Sequence, residues 1–169
     1  MADELRISDK PALDRPVLIA AFRGWNDGGQ GASLAAGYLA RLWDAEQIAD
    51  VDPEGFFDFQ ATRPHVKLVD GLTRQIDWPE TVFYRARVDG LDRDVVLLSG
   101  IEPSLRWRTF SEAIASLMAE IGARTFVTVA AYPGAVPHTR PLAVRLDGAE
   151  SEFTQAFGIS LEAIAPETF

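Results

Sequence analysis

Three largely apolar runs divide the chain. They cover residues 17–22, 94–100 and 125–131, and they read VLIAAF, DVVLLSG and TFVTVAA. A strand that is buried on both faces of a sheet carries apolar side chains at successive positions rather than at alternate ones. The pattern therefore predicts three central strands that are covered on both faces.

Helical spacing follows the first run. Between residues 30 and 44 the apolar side chains recur every three or four positions, which is typical of an amphipathic helix. The stripe that we expect to face the core consists of Leu34, Ala35, Tyr38, Leu39, Leu42 and Trp43.

A second helix is predicted over residues 109–121. Thr109 and Glu112 have the spacing of a capping box at its start, and Gly122 is a natural stop at its end. The side chains expected to face the core are Phe110, Ala113, Ile114, Leu117, Met118 and Ile121.

Two Asp-Gly pairs predict hairpins. Asp70-Gly71 and Asp89-Gly90 each stand between strand-like segments, and this dipeptide tolerates the positive φ angles of a type I′ turn. Part of the sheet should therefore be antiparallel.

These elements together define a fold class. The second apolar run, the helix over 109–121 and the third run form a βαβ unit, whose strands should be parallel with a right-handed crossover. We predict an α/β protein of three layers, with a mixed central sheet and helices on both faces. Residues 1–15 form a polar lead-in, and 16–169 form a single α/β domain.

Composition narrows the classes of partner and site. A net charge of -9 and a pI of about 4.7 disfavour nucleic acid and anionic membranes as partners. The absence of cysteine excludes disulfides, and two histidines are too few for a multi-histidine metal site. A carboxylate-rich Mg²⁺ site stays open, although nothing in the sequence marks one. We expect no metal and no cofactor. The N-terminus lacks the apolar core of a signal peptide, and no apolar run has the ~18 residues of a membrane helix. We expect a cytoplasmic protein.

The loops that follow the apolar runs contain the candidate site. Ligands of open α/β sheets bind at the carboxyl ends of the strands, so the loops RGWNDGG, GIEPSLRW and YPGAVPHTRP should meet there. We assign no catalytic or metal-binding residue. The candidate ligand-binding residues are Arg23, Gly24, Trp25, Asn26, Asp27, Gly28, Gly29, Arg63, Glu102, Trp107, His138 and Arg140.

The loop over residues 23–29 has two interpretations. Its glycines and the amides of the following helix could bind an anion. Alternatively, Asn26 or Asp27 caps the helix and the glycines only make the bend. The spacing matches neither of the common nucleotide-binding glycine loops, and the charge of Asp27 would repel a phosphate.

The other candidates have structural alternatives as well. His138 and Arg140, between two prolines, could serve acid–base chemistry or anion binding, or form surface contacts such as a salt bridge to Glu102 or Asp27. Arg63 could reach the cleft or form a surface ion pair, and Trp107 could line the cleft or pack at the helix start. The phenylalanines of EGFFDF, residues 54–59, could lie in the core or at an oligomer contact.

Four motifs in a fixed order resemble a known family. They are GWNDGG (24–29), DPEGFFDFQATRP (52–64), GIEPSLRW with Phe110 (100–110) and VPHTRP (136–141). From about Pro16 to its end the chain resembles the proteasome assembly chaperone 2 family, in its bacterial branch. The resemblance implies a fold similar to that of purine nucleoside phosphorylases. It also implies proteasome subunits as partners, because eukaryotic members of the family assist assembly of the proteasome α-ring.

Two features differ from the family pattern. Members of the family usually continue into a further helical segment, which we expect this chain to lack. Some archaeal relatives bind the proteasome through a C-terminal tail of the form hydrophobic-Tyr-any residue. Here the last residues are Glu167, Thr168 and Phe169, which do not match that tail.

Two classes of function follow from these observations. The first is an assembly-chaperone-like interaction protein that acts through oligomer and partner surfaces. The second is a binder of phosphate or nucleoside-type anions, or an enzyme, that uses a phosphorylase-like cleft. We favour the first, because the sequence offers no complete set of nucleophile, base and oxyanion donors. We also expect a homo-oligomer, with aromatic residues of 54–59 or of the C-terminal tail at the contact.

Overall fold

The three apolar runs, the two hairpins and the two helices form the predicted elements, and two strands that were not predicted lie over residues 5–7 and 46–51. The computed structural model describes residues 4–135 and 137–140. The strands are β1 (Leu5–Ile7), β2 (Val17–Arg23), β3 (Glu46–Val51), β4 (His65–Val69), β5 (Thr73–Asp77), β6 (Thr81–Arg87), β7 (Asp94–Ile101) and β8 (Thr125–Val129). The helices are α1 (Gly31–Leu42), preceded by a 3-10 turn over Gly28–Gln30, and α2 (Trp107–Ile121).

The main sheet is mixed, and its parallel strands lie together at one end of the strand order. Its strand order is β1-β3-β6-β7-β2-β8, with β2 parallel to both β7 and β8. β6 is antiparallel to β7 and to β3, and β1 is antiparallel to β3. The predicted βαβ unit is present as β7-α2-β8, with β2 inserted between its two strands. The chain therefore has the mixed α/β sheet that the pattern predicted.

Both predicted hairpins are confirmed. Strands β4 and β5 form a separate two-stranded sheet, and the turn between them places Asp70 at φ 53° and Gly71 at φ 72°. These left-handed angles are the ones a type I′ turn requires. The second hairpin joins β6 to β7 through a longer loop, in which Gly90 has φ 86°.

The two helices cover opposite faces of the sheet. Leu18 and Ala20 of β2 belong to the core cluster that contains Phe110 and Leu117 of α2. Their neighbour in the same strand, Val17, belongs to the cluster against which α1 packs. Because successive side chains of a strand point to opposite faces, α1 and α2 lie on different sides, and the three-layer arrangement is confirmed.

The side of α1 that faces the sheet differs from the prediction. Ala32 and Ala36 are buried, whereas Leu34, Tyr38 and Leu42 are each more than half exposed. The small alanines form a buried cluster with Ala21 of β2, because short side chains allow the helix backbone to approach the strand. Leu39 and Trp43 do pack against the core, as expected, but most of the predicted stripe lies on the surface.

The start of α2 also differs from the prediction. The helix begins at Trp107, and its N-cap residue is Arg106, which has φ 53° and no side-chain cap hydrogen bond. The predicted capping box of Thr109 and Glu112 is therefore wrong, since Thr109 already lies inside the helix. The end of the helix is as predicted, with Gly122 at φ 72°.

Two further details concern the ends of the sheet. β1 lies within the predicted polar lead-in, where its backbone continues the sheet beside β3. The phenylalanines of residues 54–59 divide, since Phe56 and Phe57 are buried in the core and Phe59 is only partly buried. The core interpretation therefore holds for Phe56 and Phe57, which are unavailable for an oligomer contact.

The chain forms two compact units, residues 1–133 and 134–169. All the strands and helices above belong to the first. In the second, the described residues form a turn in which the backbone N–H of Arg140 donates to the carbonyl of Pro137 at 3.0 Å. The C-terminal tail, at which we expected a contact, lies outside the described residues.

Candidate functional site

The carboxyl ends of β2 and β7 are joined through Glu102. The backbone N–H of Glu102 donates to the carbonyl of Arg23 at 3.0 Å, and its Oε2 accepts the backbone N–H of Trp25 at 3.1 Å. With the amide orientation that satisfies the hydrogen-bond network, Asn26 donates to Glu102 Oε1 at 3.0 Å and to the carbonyl of Phe22 at 3.2 Å. The predicted meeting of these two loops is present in the structure.

Gly24 makes room for this contact. A Cβ atom at this position would lie 2.4 Å from Glu102 Oε2, well inside contact distance. The absence of a side chain at Gly24 therefore allows the Glu102 carboxylate to reach the backbone of the loop.

Asp27 caps helix α1. It is buried, at 6% exposed, and its Oδ1 accepts the backbone N–H groups of Ala32 at 2.8 Å and Ser33 at 3.3 Å. Its Oδ2 accepts the hydroxyl of Ser33 at 2.5 Å. These N–H groups are among those left without a partner at the start of a helix, and an anion would otherwise bind there. The carboxylate of the chain itself therefore occupies this anion position.

Gly28 contacts the segment that follows β8. Its backbone N–H donates to the carbonyl of Ala131 at 2.5 Å, and the N–H of Ala131 donates to the carbonyl of Asn26 at 2.9 Å. A Cβ on Gly28 would lie 2.9 Å from Pro133 Cδ and 3.0 Å from the Ala131 carbonyl oxygen. The glycine thus serves a close approach of two backbones, which is the structural interpretation of this loop.

A fourth loop joins the same end of the sheet. The carbonyl of Phe56 accepts the backbone N–H groups of Ser104 at 2.8 Å and Leu105 at 3.0 Å. Above it, the Arg106 guanidinium lies 5.4 Å from the centre of the Phe56 ring and forms an ion pair with Glu4. Arg106 is not among the candidate residues predicted from the sequence, where its only signal is its position in the motif GIEPSLRW.

The remaining candidate residues are mostly at the surface. Trp25 is 81% exposed and Trp107, the first residue of α2, is 55% exposed, while Gly29 is also exposed. Arg23 and Arg63 are exposed and form no ion pair among the described residues. Arg63 Nε donates to the carbonyl of Gln60 at 3.3 Å, within its own loop.

His138 and Arg140 lie in the second unit, where both are exposed. The structure therefore brings together residues 23–29 and Glu102. The loop over 53–57 contacts the segment after Glu102 through the carbonyl of Phe56. The wider cleft that includes Arg63, His138 and Arg140 stays a prediction.

Two grooves of the first unit lie elsewhere. One, of about 400 Å³, runs between β1 and α2 and is lined by residues such as Leu5, Lys10 and Glu120. The other, of about 430 Å³, is lined by Phe59, Trp78 and several carboxylates. Neither groove is lined by a candidate ligand-binding residue.

Among the described residues, no group of three or more histidine or acidic side chains is arranged to hold a metal ion. Within the same residues, no helix is long and apolar enough to cross a membrane.

Comparison with known proteins gives consistent matches. Residues 21–164 match the sequence model of the PAC2 family. A crystal structure of a PAC2 family protein from Streptomyces avermitilis is 39% identical, with a TM-score of 0.79, and the match covers 90% of this chain and 65% of that one. A proteasome-assembly chaperone homologue from Mycobacterium tuberculosis is 38% identical, with a TM-score of 0.75, over 90% of this chain and 64% of that one.

A third solved structure, a Mycobacterium tuberculosis protein of unknown function, is 31% identical with a TM-score of 0.74. This match covers 83% of the present chain and 51% of that protein. No curated protein matches. The chain thus spans about two thirds or less of the length of these relatives.

Proposed function

Because the chain belongs to the PAC2 family, we propose that it is an assembly-chaperone-like interaction protein that works through oligomer and partner surfaces. Its partners are further copies of itself and subunits of the proteasome, and it acts in the cytoplasm. The proteasome enters the proposal because the Mycobacterium tuberculosis relative is described as a proteasome-assembly chaperone homologue.

The surface of helix α1 carries this proposal. Leu34 is 61% exposed, Tyr38 57% and Leu42 60%, and they follow one another at intervals of four residues. Residues four apart share one face of a helix, so the three side chains form a continuous apolar stripe. Such stripes on a folded surface mark protein interfaces. We propose that a proteasome subunit binds this stripe.

The alternative function, a phosphate or nucleoside-type binder, has less support. That function needs free amides at the start of α1, where Asp27 already accepts the N–H groups of Ala32 and Ser33. The N–H of Gly28, which a phosphate bound to this loop would need, donates to the Ala131 carbonyl instead. An interaction protein needs neither group to be free.

The test uses purified, unassembled proteasome α-type subunits from the source organism. Wild-type protein should form a complex with them in sedimentation velocity experiments. The Tyr38→Ser variant should weaken that complex at least about tenfold, since a large apolar contact is lost. Leu91→Ser is a matched control, because Leu91 is also exposed but lies in the β6–β7 loop. Equal binding by wild type and Tyr38→Ser would contradict this role for the stripe.

The alternative is tested separately by calorimetry with phosphate, nucleosides and nucleotides. We expect no binding at millimolar concentrations. A millimolar or tighter dissociation constant for phosphate that is lost in Arg63→Ala or Arg140→Ala would favour the small-molecule function instead.

A further inference from the structure

Helix α1 covers only part of its side of the main sheet. Arg6 in β1 lies opposite Asp50 in β3, and Asp50 lies opposite Val82 in β6. The same cross-strand row continues through Ser99 to Ala21, which packs against the alanines of α1. Because opposed residues of neighbouring strands share a face, Arg6, Asp50 and Val82 lie on the α1 side. The helix packs mainly on β2 and β7, and a groove of about 430 Å³ lies on this side over the outer strands.

One wall of the groove is aromatic. The rings of Trp78 and Phe59 meet edge to face, with their centres 5.2 Å apart. Trp78 is 52% exposed, whereas Val82 on the sheet is buried. The contact with Phe59 restricts the orientation of the indole, and an exposed indole attracts a cation because the ring face carries negative π charge. The wall therefore offers a fixed platform for a cation with an apolar stem.

The charged side chains of the groove are mostly acidic. One cation stands among four carboxylates, and together they are Arg6, Asp50, Asp52, Glu54 and Glu80. Arg6 Nε donates to Asp50 Oδ2 at 2.7 Å, and Arg6 Nη1 lies 3.5 Å from Asp52 Oδ2. Glu54 and Glu80 are exposed and form no ion pair among the described residues. Two carboxylates of the groove therefore remain available to a cationic ligand.

This combination of groups selects one class of ligand. The excess of carboxylates repels anions and nucleic acid. A wholly apolar segment would bury Glu54 and Glu80 without a partner, which costs free energy. An arginine or lysine side chain satisfies both parts of the groove, because its stem packs on apolar surface while its charged head pairs with a carboxylate.

A peptide segment fits the groove better than a free small cation. Exposed ion pairs contribute little to binding, so pairing with Glu54 or Glu80 alone leaves a small cation weakly held. An apolar residue next to the cation in a peptide adds apolar surface buried against Trp78. The volume of about 430 Å³ is near the lower end of the range for ligand pockets and admits a few side chains.

We propose that this groove binds an arginine or lysine side chain, together with an adjoining apolar residue, from an extended segment of a partner protein. The cationic head pairs with Glu54 or Glu80, its stem lies over Trp78, and the apolar neighbour packs on the rest of the aromatic wall. The inference goes beyond the proposed function and does not rest on it. The apolar stripe of α1 is a separate surface, and the groove requires a cationic segment whatever assembly the partner belongs to.

The experiment measures the binding of labelled peptides by fluorescence anisotropy. The probe is a hexapeptide of alternating leucine and arginine, and the comparison peptides carry citrulline or glutamate in place of arginine. Citrulline keeps the shape of arginine without its charge. The arginine peptide should bind at least about fivefold more tightly than the citrulline peptide, and the glutamate peptide should not bind.

Variants of the groove should weaken this binding. Glu54→Gln combined with Glu80→Gln should raise the dissociation constant of the arginine peptide at least about fivefold. Trp78→Ala should raise it about threefold or more, because the cation–π contact is lost. As the matched control, Asp89→Asn combined with Glu112→Gln removes the same charge from exposed positions outside the groove and should leave binding unchanged. Circular dichroism melting establishes that each variant is folded.

Three outcomes would overturn the inference. The first is equal binding, or no binding, of the arginine and citrulline peptides by the wild-type protein. The second is unchanged binding of the arginine peptide in the variant that combines Glu54→Gln with Glu80→Gln. The third is spermidine binding as tightly as the arginine peptide, which would identify a site for small cations instead of a peptide site.

Discussion

Asp27, in the loop before helix α1, and Ser33, in the first turn of that helix, are joined by a hydrogen bond. The Ser33 hydroxyl donates to Asp27 Oδ2 at 2.5 Å, while Asp27 Oδ1 accepts the backbone N–H groups of Ala32 and Ser33. A buried carboxylate with three such hydrogen bonds is a structural cap for the helix. The loop that first suggested an anion site thus contains its own anion.

Removal of this cap should destabilise the protein. Asp27→Ala should lower the free energy of unfolding by about 2 kcal/mol, since a buried cap is lost and helix N–H groups are left without a partner. Urea unfolding followed by circular dichroism measures the change. Asp89→Ala, at an exposed residue in the β6–β7 loop, is the control and should change stability by less than about 0.5 kcal/mol. Equal effects of the two substitutions would contradict the capping role.

Gly24 should not tolerate a side chain. In Gly24→Ala the new Cβ would displace the Glu102 carboxylate, which then loses its hydrogen bond from the Trp25 N–H. We expect a loss of about 1 kcal/mol in the free energy of unfolding. The companion variant Glu102→Ala should make the loss from Gly24→Ala much smaller in a double-mutant cycle. Strict additivity of the two substitutions would show that this contact is not the cause.

Gly37, within α1, should tolerate a side chain, in contrast to Gly24. A Cβ there would meet only the end of the Arg41 side chain, at 3.7 Å, and the residue lies in a regular helix. Gly37→Ala should therefore raise the free energy of unfolding by about 0.5–1 kcal/mol through helix propensity. Thermal and urea unfolding measure the gain. A lower stability of Gly37→Ala would mean that the backbone at this position is not helical.

Thr81 carries a buried hydroxyl group without a partner. The side chain is fully buried beside Gly100, and its Oγ1 makes no hydrogen bond within the described residues. Thr81→Val keeps the shape and removes the hydroxyl, so it should raise the free energy of unfolding by about 1 kcal/mol. Thr81→Ser, which keeps the hydroxyl and removes the methyl, should lower it by about 1 kcal/mol. A destabilised valine variant would reveal a hydrogen bond to this hydroxyl.

Tyr84 should make stability depend on pH at the alkaline end. Burial, and to a smaller extent the charge of Glu80, raise the pKa of Tyr84 above its ordinary value of 10.0. The folded protein therefore keeps this proton at pH values where the unfolded chain has lost it. The contribution of Tyr84 to the free energy of unfolding is fully present below about pH 10. It is lost as the pH rises through the pKa of Tyr84 in the folded protein.

Phenolate absorbance measures this titration. Tyr84→Phe should remove the high-pH step, and Glu80→Gln should lower the pKa of Tyr84 only in part, because burial is the larger cause. The substitutions Tyr38→Phe and Tyr132→Phe serve as controls, since both residues are exposed. An unchanged high-pH step in Tyr84→Phe would show that another tyrosine is responsible.

The sequence by itself determined the two buried strands β2 and β7, the two hairpins and the family. The prediction that the third run is covered on both faces is wrong, because β8 lies at the edge of the described sheet, with Phe126 43% and Val129 38% exposed. Runs such as residues 94–100 require burial on both faces, and the Asp70-Gly71 pair supplies the positive φ angles of a tight turn, so both signals are local. The motif order likewise identified the PAC2 family before any comparison. The likeness to purine nucleoside phosphorylases stays a prediction.

Only the tertiary structure decided which side of α1 faces the sheet. Helical spacing permits either stripe, and the larger side chains of Leu34, Tyr38 and Leu42 had favoured the one that lies at the surface. The choice depends on Ala21 in β2, over which only small residues such as Ala32 and Ala36 fit. The role of Asp27 was undecided for the same reason, because a carboxylate in a glycine-rich loop becomes a cap only where the fold brings the helix amides to it.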